Sequence, residues 1–268
     1  MFADKTVVIT GASSGLGRQL ARDFASRGAN CVLFARNTGA LAEAVAECEA
    51  AGGQAIAVTG DVTKPEDCER LAAEAIEKFG GLDVFISNAG LSMWSPFDEV
   101  EDINIFRRLM EVNYLGAVHG VHFALPYLKK SGGRFVAIAS IQSRTGVPYH
   151  TGYVASKHAL EGFCKALRYD LEGTGVIVLT VHPHWIRGTS LRANACAADG
   201  GSVGEQSRSH GSEGIAVGEC SAAVLRAVEN RDTELVMPFK LRFVPWLNLL
   251  CPGFLRRIIW RMVGSQKK

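Results

Sequence analysis

The chain has 268 residues, 47% of them hydrophobic, enough for one large α/β domain or two small ones around a sizeable core. A net charge of only +2 argues against a dedicated nucleic-acid binder, and seven scattered cysteines suit a reducing compartment rather than a disulfide framework. No histidine and cysteine cluster has metal-site spacing, the N-terminus leaves no room for a signal or transit peptide, and no apolar run is long enough to span a bilayer, so the expectation is a cytoplasmic protein without a metal.

Thr6–Thr10 (TVVIT) is a β-branched run, the pattern of a buried parallel strand. It enters Gly11-Ala12-Ser13-Ser14-Gly15-Leu16-Gly17, and a helical pattern follows through Leu20, Ala21, Phe24 and Ala25. Strand, glycine-rich turn and helix form the context of a dinucleotide-binding loop. Small residues let the backbone approach a pyrophosphate, and the helix N-terminus favours its charge. Asn30–Ala35 is the second strand, ending at Arg36. An acidic residue there would bond the ribose hydroxyls of NAD, whereas an arginine can pair with the 2′-phosphate of NADP. NADP(H) is therefore the preferred cofactor, with NAD(H) left open.

A helix over 41–51 leads to a third strand, Gln54–Thr59, and to Asp61-Val62. Asp61 is placed either to accept a hydrogen bond from an adenine amino group or to cap the next helix, 66–79, with Pro65 close behind. The fourth strand, 83–86, runs into Ser87-Asn88-Ala89-Gly90, whose small side chains would admit a ribose. Met93 and Trp94 follow, lining a substrate pocket or packed in an apolar loop. Over 103–121 the pattern is helical, with Asn113 among Met110, Val112, Leu115 and Val118. A mid-helix asparagine on such a face must bond a backbone group or hold a water.

The fifth strand, 134–139, delivers Ser140 at the C-terminal sheet edge, where open α/β sheets bind ligands. Tyr153 and Lys157 then lie one helical turn apart. A free phenol has a pKa of about 10, and a nearby ammonium lowers it, which makes a workable acid/base for an alcohol oxygen. The sixth strand, 176–181, ends in His182-Pro183-His184-Trp185-Ile186, and neither histidine has a metal partner nearby. The stretch 194–214 is rich in Gly, Ser and Ala, too polar to pack well, and reads as a substrate lid or as disorder. A helix over 217–230 and a short strand, Glu234–Met237, follow.

From Phe239 onward there are seven basic residues and no acidic one, while the remainder of the chain carries 22 basic and 27 acidic residues. Apolar and aromatic residues alternate with these cations around Pro252-Gly253. Such a segment can lie on a membrane surface, or it can cover the substrate mouth or a partner subunit.

Together these residues resemble the short-chain dehydrogenase/reductase family, densely over 5–186 and loosely beyond. The run from Thr10 through Gly17 matches its cofactor loop, Asp61-Val62 its adenine contact and Asn88-Ala89-Gly90 its N-A-G turn, with Ser87 where a first asparagine is common. Ser140 precedes Tyr153 by thirteen residues, the family interval, and Asn113, Ser140, Tyr153 and Lys157 resemble the complete catalytic tetrad.

The resemblance implies a Rossmann-type, doubly wound α/β domain over 1–238, with 189–214 as lid and 239–268 as an amphipathic extension. Its sheet would be parallel and seven-stranded, in the order 3-2-1-4-5-6-7. Cofactor contacts would come from Gly11, Ser13, Ser14, Gly15, Leu16, Gly17, Arg36, Asp61, Val62, Asn88, Ala89, Gly90, Tyr153, Lys157, Pro183 and Ile186. The activity implied is hydride transfer between NADP(H) and a secondary alcohol or ketone. Arg36 and the apolar tail are similar to members acting on steroids, retinoids and other lipophilic carbonyls. A homodimer or homotetramer is also implied.

Three positions depart from the family pattern. His184 stands in place of a glycine, Gly188 stands where a threonine is usual with Thr189 one further on, and Ser14 stands where NADP-preferring relatives often carry a basic residue. The alternatives are a non-catalytic cofactor-binding scaffold or redox sensor, and a nucleotide-sugar epimerase or dehydratase, whose G-x-x-G-x-x-G spacing Gly11, Gly15 and Gly17 do not fit.

Overall fold

The computed structural model describes residues 2–204 and 214–263. Strands β1 (Thr6–Thr10), β2 (Asn30–Ala35), β3 (Gln54–Thr59), β4 (Val84–Ser87), β5 (Arg134–Ile138), β6 (Ile177–Pro183) and β9 (Glu234–Met237) form one parallel sheet, in the order β3-β2-β1-β4-β5-β6-β9. Alternation along each strand splits the core in two. Val7 and Ile9 point to one face and pack under α1 (Gly15–Ala25), α2 (Thr38–Ala50) and α7 (Val217–Glu229), while Val8 points to the other. That second face is covered by α3 (Pro65–Phe79), α5 (Gly116–Ser131) and α6 (Thr151–Asp170). Phe24, Phe34, Phe85 and Phe135 are fully buried between these layers. Each contributes about 2–3 kcal/mol of transfer free energy.

The strand order reverses between β1 and β4, which opens a crevice beyond their C-terminal ends. The helix expected over 103–121 is both longer and interrupted. Helix α4 (Asn104–Met110) passes through one π turn, Glu111–Leu115, into α5, which continues through Pro126. Ala124 and Leu128 extend the buried stripe past residue 121, so packing on the sheet carries the helix onward.

The expectation that 194–214 is too polar to pack is corrected for its described part. Trp94 N–H donates to Cys196 O (3.0 Å), Glu101 N–H to Ala198 O (2.9 Å) and Arg108 Nη2 to Gly200 O (2.7 Å). Ala195 and Cys196 are buried. Backbone hydrogen bonds, rather than an apolar stripe, hold this segment on the loop after β4. Residues 205–213 of the predicted lid lie outside the described residues. A short parallel pair that periodicity did not show joins β7 (Ile186–Arg187) to β8 (Ile215–Ala216). After β9 the chain forms α8 (Val244–Leu250) and α9 (Pro252–Val263).

Candidate active site

The loop after β1 is shaped by close approach. Gly11 has φ 65°, and a Cβ there would lie 2.8 Å from Ala89 Cα; one on Gly17 would lie 2.3 Å from Gly11 O. Only glycine fits either place. Asn88 staples the loop from the neighbouring strand end. Its Nδ2 donates to Thr10 O (3.0 Å) and Gly11 O (3.2 Å), while Asn88 and Ala89 N–H both donate to Thr10 Oγ1. Ala12 N–H donates to Phe34 O, and Gly60 N–H to Ala35 O, so the ends of β1, β2 and β3 are tied side by side. Leu16 is buried on the inner face of α1, Ser13 is half-buried, and Ser14 is exposed as the α1 N-cap without a side-chain cap bond. Arg36 is exposed at the end of β2. This cradle fits a dinucleotide: a backbone groove without Cβ atoms, a helix N-terminus with free N–H groups, and a guanidinium at the rim.

Asp61 is not the helix cap. Its Oδ1 accepts from Thr63 N–H (3.0 Å) and Thr63 Oγ1 (2.9 Å), closing a local Asx turn, while Lys64 is the α3 N-cap and Pro65 its first residue. Val62 is buried against Gly116, where a Cβ would come within 2.8 Å of it.

The four residues of the expected tetrad come together beyond the ends of β4 and β5. Asn113 sits in the π turn and is buried. Its Oδ1 accepts from Leu91 N–H (2.8 Å), and its Nδ2 donates to Leu91 O (2.9 Å) and Ser156 Oγ (2.9 Å). A single π turn is often found where a helix must aim one side chain. Gly90 marks the meeting point, since a Cβ there would lie 3.2 Å from Asn113 Oδ1 and 3.8 Å from Lys157 Nζ. Ser140 is buried, accepts from Gln142 N–H (3.1 Å) and lies close enough to Tyr153 to pull its phenol downward.

Tyr153 and Lys157 are buried on the inner face of α6, and burial moves them in opposite directions. Desolvation pushes the Tyr153 phenol up to about 12, partly offset by Ser140, and the Lys157 ammonium down to about 8. The sequence cast Lys157 as the group that lowers the Tyr153 pKa. Here its Nζ donates to Ile138 O (2.8 Å), 5.8 Å from the Tyr153 ring centroid, and burial outweighs it.

Pro183 is buried at the end of β6, and Ile186 is half-buried where β7 pairs with Ile215. His184 N–H donates to Met237 O (2.8 Å), and its ring meets Trp185 at 4.9 Å. Thr189, displaced by one position, lies against the cofactor loop: a Cβ on Gly15 would sit 3.2 Å from Thr189 Cβ.

Of the expected mouth, Met93 is fully buried with Ile105, Leu109, Tyr153 and Cys196, so it packs rather than lines an opening. Trp94 is half-buried, 5.1 Å from His150 and 5.2 Å from Tyr149, with the Arg192 guanidinium 4.5 Å from its ring. His150 in turn lies 6.2 Å from Tyr153.

A buried ionic cluster behind Ser140 has no counterpart in the sequence reading. Ser143 Oγ lies 2.7 Å from Ser140 O, 2.5 Å from Glu161 Oε2 and 3.1 Å from His182 Nδ1. Arg144 Nη2 donates to His182 Nε2 (2.9 Å) and to Glu234, and Lys165 pairs with Glu161 Oε1 (2.6 Å). Burial, then the Arg144 charge, lowers His182 to about 4. Neutrality is also required by geometry, because Nε2 needs a lone pair to accept from Arg144. Glu161 continues the four-residue spacing of Tyr153 and Lys157 along one face of α6, the signal from which it was legible. Among the described residues no group of His, Cys, Asp and Glu could hold a metal ion.

The family profile described as short chain dehydrogenase matches residues 5–199. The chain belongs to the short-chain dehydrogenase/reductase family. Members are NAD(P)-dependent oxidoreductases acting on CH–OH groups. Curated relatives include the 11-beta-hydroxysteroid dehydrogenase-like 4A protein of Arabidopsis thaliana, 34% identical over 252 residues, covering 94% of this chain and 82% of the relative. Dehydrogenase/reductase SDR family member 7B of Mus musculus is 34% identical over 272 residues, covering 98% and 82%. Among solved structures, a Burkholderia phymatum short-chain dehydrogenase/reductase in complex with NAD superposes with a TM-score of 0.83 at 26% identity, covering 94% of this chain and 95% of that one. The Thermococcus sibiricus alcohol dehydrogenase complexed with 5-hydroxy-NADP gives 0.75 at 28% identity, covering 87% and 95%. The family's seven-stranded sheet order is the one seen here, with β9 as the seventh strand.

Proposed function

We propose that this short-chain dehydrogenase/reductase interconverts a lipophilic secondary alcohol and its ketone with NADP(H) as the preferred cofactor. The observation that carries the reading is the buried grouping of Ser140, Tyr153 and Lys157 at the sheet edge that also holds the glycine cradle. The bound nicotinamide supplies or accepts the hydride. In the reductive direction Ser140 and Tyr153 orient the carbonyl oxygen, and Tyr153 donates its proton. A phenol held up near 12 is fully protonated at neutral pH, as a donor must be. Lys157 shifts from the Ile138 carbonyl to favour the phenolate as the proton leaves. Asn113 fixes the Leu91 backbone and positions a water that returns protons to Lys157. Arg36 at the rim supports NADP over NAD, and the Trp94–Tyr149–His150 cluster next to Tyr153 supports an apolar substrate. Relatives named as hydroxysteroid dehydrogenases support the same substrate class. Self-association through α5 and α6 belongs to this proposal.

The test is oxidation of NADPH and NADH against ketones from small polar to bulky polycyclic, with wild type, Tyr153→Phe and Arg36→Asp side by side. Turnover of bulky ketones by wild type, lost by at least about a hundredfold in Tyr153→Phe with cofactor still bound, is expected. Arg36→Asp should lose its preference for NADPH. Wild-type rates in Tyr153→Phe would reject the proton donor, and an unchanged cofactor preference would reject Arg36.

A further inference from the structure

We propose that the 3₁₀ turn Phe239–Phe243, α8 and α9 together dock on an anionic phospholipid surface. Eight of the large hydrophobic side chains exposed on the molecule lie in this segment: Phe239, Phe243, Trp246, Leu249, Leu250, Phe254, Trp260 and Met262. Trp246, Leu249 and Leu250 follow helical spacing on α8, the pattern that normally faces a core. Here they face outward, at 65%, 73% and 72% exposure, and α8 buries no residue at all. Helix α9 buries Leu255 and Val263, which sets its orientation and leaves Phe254 and Trp260 outside. Large apolar side chains left exposed in one segment mark a docking face.

Charge selects the occupant. From Phe239 to Lys268 there are seven basic side chains and no acidic one. Arg256 and Arg257 lie with Gly253 and Trp260 along one exposed face of α9, where their guanidinium groups can meet phosphate headgroups. A second copy of this chain would bring two such faces together with no acidic residue to pair them. An anionic bilayer supplies the missing charge and takes the aromatic side chains at the level of its headgroups. No helix among the described residues is long and apolar enough to cross a membrane, so the segment lies on the surface.

The topology also places the site. Strand β9 runs parallel to β6 with Met237 beside Pro183, so the tail leaves the sheet at the edge that carries Pro183, Ile186 and Ser140. Docking would turn that edge towards the lipid, where an apolar alcohol or ketone partitions. This last step rests on the reading of the site given above; the docking itself does not, and its assay needs no turnover.

The experiment is co-sedimentation of the full chain with phosphatidylcholine vesicles, with and without about one third phosphatidylglycerol. Trp246→Glu/Leu250→Glu tests the apolar contact, and Arg256→Glu/Arg257→Glu tests the charge. All four residues are exposed and lie outside the site, and circular dichroism checks that each variant is folded. Wild type should pellet at least about fivefold more with the anionic vesicles, and that excess should fall in the arginine variant and with added salt. The Trp246/Leu250 variant should lose binding to both vesicle types. Equal pelleting with and without vesicles overturns the proposal, as does undiminished binding of the Trp246/Leu250 variant. Sedimentation velocity showing an oligomer that the same four substitutions dissociate would give the face to a second copy and also overturn it.

Discussion

Mild acid should destabilise this protein through histidines, before its carboxylates titrate. His150 is buried against Trp94 and Tyr153, its Nδ1 bonded to Pro148 O (2.7 Å), and Arg192 stands close enough to repel a second charge. Desolvation is the main cause, and it lowers the imidazole to about 4. An unfolded histidine titrates at about 6.5, so between those values the unfolded chain binds the extra proton and the folded one does not. Stability is therefore complete above about pH 6.5 and is lost as pH falls towards 4. For one such group the loss is about 2 kcal/mol at pH 5 and approaches 3.4 kcal/mol in strong acid. His182 is lowered in the same direction and adds to the loss.

Urea midpoints at pH 7, 6 and 5 for wild type and His150→Gln measure this. The glutamine keeps a donor for Pro148 O and cannot titrate. Wild type should lose about 2 kcal/mol more than the variant between pH 7 and 5. Identical slopes for the two proteins would refute the reasoning. The carboxylates do not confuse the result. Glu161 and Glu234 are held below the usual range although burial opposes it, Glu161 by Lys165 and Ser143 and Glu234 by Arg144. Their contributions fade only below about pH 4.3.

The same geometry makes two further predictions. Gly17→Ala places a methyl 2.3 Å from Gly11 O and 2.5 Å from Asn88 Nδ2, both fixed, so the loop must open. Dinucleotide affinity, by fluorescence titration, should fall at least about tenfold, and an unchanged affinity would show that the loop yields at no cost. Arg144→Met strips Glu161, Glu234 and His182 of their shared partner in a cluster where the arginine is only 9% exposed. Breaking a buried pair costs about 3–5 kcal/mol, and Glu234 at 31% exposure favours the lower end. That corresponds to a fall of roughly 10 °C in Tm for a chain of this size; a fall below about 2 °C would mean the cluster is neutral.

What the sequence revealed was local. Glycines at 11, 15 and 17, the β-branched strands, and the Ser140, Tyr153 and Lys157 spacing each sit within one strand–turn–helix unit, where periodicity is informative. Asn113 was legible as a polar side chain needing a partner, but not as one aimed by a π turn. The Leu91 backbone that satisfies it arrives from another loop. Met93 and Trp94 are adjacent and looked alike. Which one is buried depends on Cys196, a hundred residues away, in a segment whose backbone bonds leave no periodic trace. His182 and Glu234 are brought together only because β9 pairs with β6, a long-range crossover invisible to any window.

That crossover also explains why the cluster lies where it does. Glu234 opens β9 level with Thr180 of β6, His182 lies near the C-terminal end of β6, and Arg144, in the turn after β5, reaches both. Ser143 and His182 Nδ1 both reach the Ser140 carbonyl, so the cluster holds the backbone of the residue whose side chain meets Tyr153. On α6 the ladder Tyr153, Lys157, Glu161 faces inward throughout, the first two at the site and the third in the cluster. A substitution that loosens Glu161 therefore releases one end of that ladder. Its effect on turnover should exceed its effect on cofactor binding, because Ser140 and Tyr153 move while the glycine cradle, stapled by Asn88, stays in place.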